Sequence, residues 1–292
     1  MQQPEWFRNL VNRPRQTRFT QVDGARIHFD VWGTDPDKPH LLFVHGNGAQ
    51  SHWWDFIAPA FIDRFNPVAM DMSGNGDSEH RTRYTATGFA NEIMGVLDAL
   101  GNAPAIVVGH SFGGTMTRIA AYLHGEALTG IVLVDSMVST HRTQRPPPPL
   151  PRTQRRFYPS LEAAKRRFRL RPPQPCANDY IIDYIAEHSV RGSPDGFYFK
   201  LDQTMFARFE DTPGIKIPDA ATTIRETACP VGFILGDNSR FFPAEARALV
   251  SSLIEPDLLR TVPGAWHHVF LDQPLLFIDA LGEILENMKK GD

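Results

Sequence analysis

Short apolar runs spaced by helix-length segments constrain this 292-residue chain more than any other feature of its sequence. Four of them, at residues 41–44 (LLFV), 67–70 (PVAM), 105–108 (AIVV) and 131–134 (IVLV), read as strands that are apolar on both sides. Such strands belong in a parallel sheet whose two faces are covered by helices, so the rhythm is that of repeated βαβ units. Ahead of it, residues 17–22 and 25–31 flank Asp23-Gly24, a dipeptide suited to a two-residue hairpin turn, and an antiparallel pair opens the fold. Beyond it, strand signals return at 231–235 and 258–262, and an amphipathic helical pattern covers 274–288. The fold class is therefore α/β, with no internal repeat. At roughly 150 residues per domain, the length fits one large unit or two smaller ones.

Hydrophobic residues make up 42% and charged residues 22%, which supplies a sizeable core and argues against wholesale disorder. Cys176 and Cys229 stand in no CxxC pair and near no histidine cluster. That pattern speaks against a disulfide framework or a zinc site and for two buried thiols. Residues 1–20 are polar and lack the apolar segment of a secretory leader, and no later run nears the ~18 apolar residues of a membrane span. A soluble, cytoplasmic protein without membrane contact is expected.

The net charge of −3 hides a local bias. Residues 141–171 hold ten Lys/Arg against one acid, Glu162, a local +9 that leaves −12 for the remainder. Such a cluster can mark a nucleic-acid or anionic-lipid surface. A solvated helix face accounts for it better, because Ser160 is placed to cap a helix in which Phe157, Leu161, Ala164 and Phe168 recur at helical spacing. Glu162 then sits in the first turn and Lys165, Arg166, Arg167 and Arg169 toward the end, as the helix dipole favours. No nucleic-acid partner is expected.

That basic stretch lies within a segment of distinct composition, about 137–227, rich in arginine, proline and aromatics and set between two strand signals. Its four prolines at 146–149 prefer extended geometry and read as the hinge of an insertion. Asn178 is placed to cap a second helix through Tyr180, Ile181 and Ile185. The aromatics from Phe197 to Phe209 concentrate apolar surface, mostly for packing and in part for a ligand.

The most specific motif is Gly109-His110-Ser111-Phe112-Gly113, a GxSxG directly after the run at 105–108 and before a helical pattern from Thr115 onward. A serine held on a sharp strand-to-helix turn needs small neighbours, because its backbone is strained and the helix must approach the strand closely. Gly109, Gly113 and Gly114 meet that need.

The motif is one of four matches to a known pattern. They are His45-Gly46-Asn47-Gly48 after one strand, Asp71-Met72-Ser73-Gly74-Asn75-Gly76-Asp77-Ser78 after the next, the serine turn itself, and Pro263-Gly264-Ala265-Trp266-His267 near the end. With these the chain resembles, over nearly its whole length, the α/β-hydrolase superfamily, and within it the serine-nucleophile members that carry a cap domain. The resemblance implies a mostly parallel eight-stranded sheet with helices on both faces and a largely helical cap inserted after strand six. The core is then residues 1–136 and 228–292, and the cap 137–227.

The same resemblance assigns roles to residues. Ser111 is the nucleophile, activated by a base that takes its proton. His267 matches the family position for that base; His268 is the competitor, and His267 is favoured because relatives more often carry an aromatic or bulky residue at the next position. The amides of Asn47 and Phe112 are the expected oxyanion donors. The acid departs from the pattern: strand seven usually ends in glycine, two variable residues and aspartate, whereas this chain reads Gly236-Asp237-Asn238-Ser239. A hydroxyl at 239 cannot stabilise an imidazolium, so another carboxylate must serve. Asp135, ending strand six, is preferred over Asp237. Trp53, Trp54 and Trp266 are expected to line an apolar substrate pocket, and Trp266, where relatives usually have glycine, to narrow the acyl site toward small or flat groups.

The leading expectation is hydrolysis of a carboxylic ester, lactone or thioester through an acyl-enzyme on Ser111, with a small-molecule substrate, no organic cofactor and no metal. A serine in place of aspartate argues against dehalogenase and epoxide-hydrolase chemistry. Carbon–carbon bond hydrolysis of a diketone is the second enzyme reading. A ligand-binding receptor or scaffold with little turnover is the third, favoured only by the altered acid position.

Overall fold

The computed structural model describes residues 3–101, 103–138 and 155–289. The opening hairpin forms as its turn dipeptide dictates. β1 (Gln16–Val22) pairs antiparallel with β2 (Ala25–Val31), Val22 lies opposite Ala25, and the turn residues take φ of 47° at Asp23 and 77° at Gly24. Positive φ at both central residues is what a two-residue hairpin needs to match strand twist.

The apolar runs become β3 (His40–Val44), β4 (Asn66–Met70), β5 (Ala105–His110), β6 (Gly130–Val134), β7 (Val231–Gly236) and β8 (Leu259–Val262). They join the hairpin in one eight-stranded sheet of order β1-β2-β4-β3-β5-β6-β7-β8. β2 meets β4 antiparallel, and every pairing from β4 to β8 is parallel. The chain steps from β3 outward to β4 and then back across to β5, so the order reverses between β3 and β5. A crevice opens beyond the carboxyl ends of strands at such a switch point. His45 to Asn47 follow β3, and Ser111 follows β5, at that place.

Helices α1 (Glu5–Val11), α2 (Ala86–Leu100) and α3 (Phe112–His124) precede an insertion between β6 and β7. Its described part holds α4 (Leu161–Lys165), α5 (Asp179–His188), a hairpin of Val190–Ser193 with Gly196–Phe199, and α6 (Ala220–Glu226). After β7 come α7 (Ala244–Leu253), α8 (Val269–Asp272) and α9 (Pro274–Lys289). Ser160 caps α4 by accepting from the Ala163 amide at 3.1 Å. The helix is shorter than its apolar spacing implied: it ends at Lys165, and the chain turns so that Leu170 enters the core beside Ile181 and Ile185. Asn178 stands at the start of α5, but its side chain does not cap it. Its Nδ2 instead donates to the carbonyls of Leu271 and Asp272 at 2.7 and 3.0 Å, tying the insertion to α8. The four-proline run and the arginines at 142, 145 and 152 lie outside the described residues.

Apolar layers cover both faces of the sheet. One packs Phe89, Ile93, Met116 and Ile119 of α2 and α3 on Leu42, Val107 and Leu133. The other packs Phe277, Leu281 and Ile284 of α9, with Trp54 and Phe270, on Phe43, Val108 and Val132. Cys229 is buried and Cys176 half-buried, so the expectation of two buried thiols holds for one of them. Among the described residues no helix is long and apolar enough to cross a membrane.

One buried carboxylate organises the loops around the switch point. Asp71 accepts from the amides of Ser51 at 2.6 Å and Asp77 at 2.8 Å and is 2.8 Å from His28 Nδ1. A Cβ at Gly76, where φ is 54°, would overlap this carboxylate, which explains a glycine there. Burial opposes the Asp71 charge, but the hydrogen bond and charge of His28 outweigh it and hold the carboxyl well below the usual carboxylate range. Asp71→Ala leaves His28 and two amides without their acceptor. The expected loss is about 3–5 kcal/mol of unfolding free energy, read by urea denaturation; a loss under ~1 kcal/mol would contradict this role.

Candidate active site

The serine turn is built as its glycines require. Ser111 takes φ 53° and ψ −116°, a strained conformation for a residue with a side chain. Its amide donates to the Val134 carbonyl at 2.9 Å, and its own carbonyl accepts from the Thr115 amide at 3.0 Å and from Ser136 Oγ at 2.9 Å. A Cβ at Gly113 would overlap the His45 carbonyl oxygen, and one at Gly109 would overlap Thr117 Oγ1. Both positions therefore admit only glycine without a shift of the α3 start against β3 and β5.

Ser111, His267 and Asp135 converge from three separate stretches of chain. Ser111 Oγ lies 2.9 Å from His267 Nε2, and His267 Nδ1 lies 2.7 Å from Asp135 Oδ1. Because the carboxylate can only accept, Nδ1 carries the ring proton and Nε2 is left to accept from the serine hydroxyl. Asp135 is fully buried at the tip of β6, with φ 42°. Its Oδ2 accepts from the Gly236 amide at 3.0 Å, and its Oδ1 also accepts from Ser239 Oγ at 2.6 Å. Ser239, at the position where the resemblance leads one to expect the acid, thus donates a hydrogen bond to the Asp135 carboxylate. Asp237 is exposed and is not brought to His267: Arg247 donates to its backbone carbonyl at 2.8 Å, and its side chain points to no partner among the described residues.

His268 is buried against Trp53 and His110, with ring centroids 5.4 and 5.3 Å away, rather than against Ser111. Burial, and then the neighbouring His267, push its pKa down to about 3. A histidine neutral in the fold but titrating near 6.5 when unfolded makes the unfolded chain bind the extra proton, so its contribution to stability is lost as pH falls below 6.5. Between pH 7 and pH 5 that loss is about 2 kcal/mol. The drop in unfolding free energy over this interval is expected to be smaller by about that amount in His268→Leu than in wild type. Equal slopes in the two proteins would refute the assignment.

The Gly46-Asn47 loop is set by His45, which is fully buried. His45 Nε2 accepts from the Met72 amide at 3.0 Å, so its Nδ1 donates to the Gly46 carbonyl at 2.7 Å. Burial lowers the His45 pKa and keeps the ring neutral, which this double role needs. A Cβ on Gly46 would meet His110 Nδ1 at 2.7 Å and Ser111 Cβ at 3.3 Å, so the loop lies directly against the nucleophile turn. Phe112 is the first residue of α3, where an amide has no intrahelical acceptor. The amides of Asn47 and Phe112 therefore stand on adjoining loops beside Ser111.

The three tryptophans divide. Trp53 lines a cavity beside Asn47. Trp54 does not: it is fully buried and stacked on Phe270 at 4.3 Å and packed on Phe43 at 5.0 Å, because successive side chains of the short 3₁₀ turn Ser51–Trp54 point about 120° apart. The expectation that Trp54 contacts a ligand is corrected to a core role. Trp266 is half-buried on the other side of the histidine loop, under the Arg240 guanidinium at 5.5 Å, and is absent from the walls of that cavity.

Two positioning residues were not singled out by sequence. His110, inside the serine motif, is buried and its Nε2 donates to the His267 carbonyl at 3.0 Å. Burial, then His267, lowers its pKa. Gln174, in the insertion, accepts from the His268 amide at 2.9 Å and donates to Asp272 Oδ2 at 2.8 Å, and that carboxylate accepts from the Trp266 amide at 2.7 Å. The histidine loop is thus clamped from the sheet side and from the insertion. His110, His267 and His268 also bring three ring nitrogens within 4.8 Å, but both nitrogens of His267 are engaged, with Asp135 and Ser111, and His110 Nε2 with the His267 carbonyl.

Comparison with known proteins agrees with this architecture. A family model described as alpha/beta hydrolase fold matches residues 39–274. The mouse sn-1-specific diacylglycerol lipase ABHD11 is 22% identical over 274 residues, covering 89% of this chain and 85% of its own. The 2-(acetamidomethylene)succinate hydrolase of Mesorhizobium japonicum is 25% identical over 276 residues, covering 91% and 94%. Among solved structures, the thioesterase domain from the curacin biosynthetic pathway superposes with a TM-score of 0.73 at 19% identity, covering 92% of this chain and 99% of that one. With the family model spanning most of its length and every element of the sheet in place, this chain belongs to the alpha/beta hydrolase fold family.

Proposed function

We propose that this hydrolase-family protein cleaves a carboxylic ester or thioester through an acyl-enzyme on Ser111. The observation that carries the reading is the unbroken hydrogen-bond chain Ser111 Oγ, His267, Asp135 at 2.9 and 2.7 Å. His267 Nε2 takes the hydroxyl proton as Oγ bonds to the substrate carbonyl carbon, and the Asp135 carboxylate stabilises the resulting imidazolium. The negative charge formed on the carbonyl oxygen is received by the Asn47 and Phe112 amides. The imidazolium then gives its proton to the departing alcohol or thiol. Water, deprotonated by the same nitrogen, attacks the acyl-serine and releases the carboxylic acid. The segment 137–227 acts as a cap over this site, tied to it by Gln174, Asn178 and the Tyr184 hydroxyl, which donates to Asp55 at 2.6 Å.

A lipase and a succinate-derivative hydrolase among the relatives support hydrolysis of a small carbonyl substrate. The receptor reading rested on Ser239; with Asp135 against His267, that feature gives it no support. The test is a panel of p-nitrophenyl esters of increasing chain length, acyl thioesters, several lactones and a vinylogous diketone. Turnover of an ester or thioester is expected. Turnover of the diketone alone would transfer the assignment to carbon–carbon bond hydrolysis, and turnover of none would refute the enzyme reading.

A further inference from the structure

Beside the Gly46-Asn47 loop lies a cavity of about 150 Å³ whose walls come from that loop, the adjoining Gln50 and Trp53, and the insertion. Arg167, Arg169, Arg171 and Lys200 line it, and no aspartate or glutamate does. Lys200 pairs at 2.9 Å with Asp77, which it shares with Arg191. Arg169 donates only to the Arg166 and Phe168 carbonyls, and among the described residues none of the three arginines is paired with a carboxylate. Gln50 and Trp53 are buried in its wall, and Arg167, Arg169 and Arg171 are exposed at its rim.

Guanidinium forks without carboxylate partners, on a wall that holds no acid, have one chemical complement, an oxyanion with several lone pairs. We infer that this cavity binds a carboxylate or phosphate carried by the substrate, with Arg167, Arg169 and Arg171 bonding its oxygens and supplying charge. The inference rests on the proposed acyl transfer at Ser111, and it narrows the substrate class to anionic esters or thioesters.

The experiment compares kcat/KM within two matched pairs. Mono-p-nitrophenyl glutarate against its neutral methyl ester isolates a carboxylate; acetyl phosphopantetheine against acetyl pantetheine isolates a phosphate. A preference of tenfold or more for the anionic member of one pair is expected, and the pair showing it identifies the source of the anion. In Arg167→Gln/Arg169→Gln/Arg171→Gln that preference falls to within twofold. Arg169→Gln alone serves if the triple variant does not fold, and reduces the preference at least threefold. A preference near one in both wild-type pairs, or one unchanged in the variants, overturns the inference while leaving ester hydrolysis standing. Calorimetric titration of Ser111→Ala with glutarate and with inorganic phosphate separates the two claims in the other direction. Arginine-dependent binding without turnover of any ester keeps the anion pocket and refutes the hydrolase reading.

Discussion

Ser111→Ala and His267→Ala each lower kcat/KM on any ester the wild type turns over by a factor on the order of 10⁴ or more, without unfolding the protein. Members of such a triad act as a unit, so losing either leaves only the contribution of binding and the oxyanion donors. The structure explains why folding survives. Among the described residues Ser111 Oγ hydrogen-bonds to His267 alone, and the turn itself is held by the backbone bonds to Val134 and Thr115. His268→Ala is the contrasting variant, because that ring faces Trp53 rather than the nucleophile. It should keep most activity and lose stability. Steady-state rates with melting temperatures for all three proteins check this, and a dead His268→Ala beside an active His267→Ala would reverse the base assignment.

Asp135→Asn is expected to lower kcat by about 10⁴ with the fold intact, whereas Asp237→Asn stays near wild type. The amide can keep the bond to Gly236 but presents an N–H or a weaker acceptor to His267, and the ring is then mis-set in tautomer and loses its counter-charge. Asp237 follows Gly236 in the chain, but its side chain is exposed and bonds no member of this network, so its change touches nothing that reacts. Ser239→Ala is expected to lie between them, removing one of the bonds that hold the carboxylate but not the carboxylate itself. Full loss in Asp237→Asn with Asp135→Asn unaffected would overturn the assignment of the acid.

What the sequence discloses and what it hides divide by range. The Asp23-Gly24 turn, the buried strands and the serine turn rest on signals within a few residues: a dipeptide, an apolar run, glycines flanking a serine. Each was legible because the physics that fixes it is local. The acid was legible only as a choice between Asp135 and Asp237, since which strand tip meets the histidine depends on packing across 132 residues of chain. The hydrogen bond from Ser239 to Asp135, the clamp by Gln174 and the bond from His110 to the His267 carbonyl are of the same long-range kind. Trp53 and Trp54 show a different blindness, because neighbours in a short turn carry no periodicity to tell which ring faces the core. The helix from Leu161 stopped early because burying Leu170 overrode its apolar spacing.

Trapping the covalent intermediate tests the central claim most directly. An activated phosphonate ester such as a p-nitrophenyl alkylphosphonate, mixed with the wild-type protein, should transfer its phosphonyl group to Ser111 Oγ and release p-nitrophenol, the serine proton leaving through His267. Intact-mass and peptide mass spectrometry read the result. The account predicts a single adduct on the peptide containing Ser111, absent in Ser111→Ala and formed at least a hundredfold more slowly in His267→Ala. No adduct, or one on another residue that persists in Ser111→Ala, would contradict it.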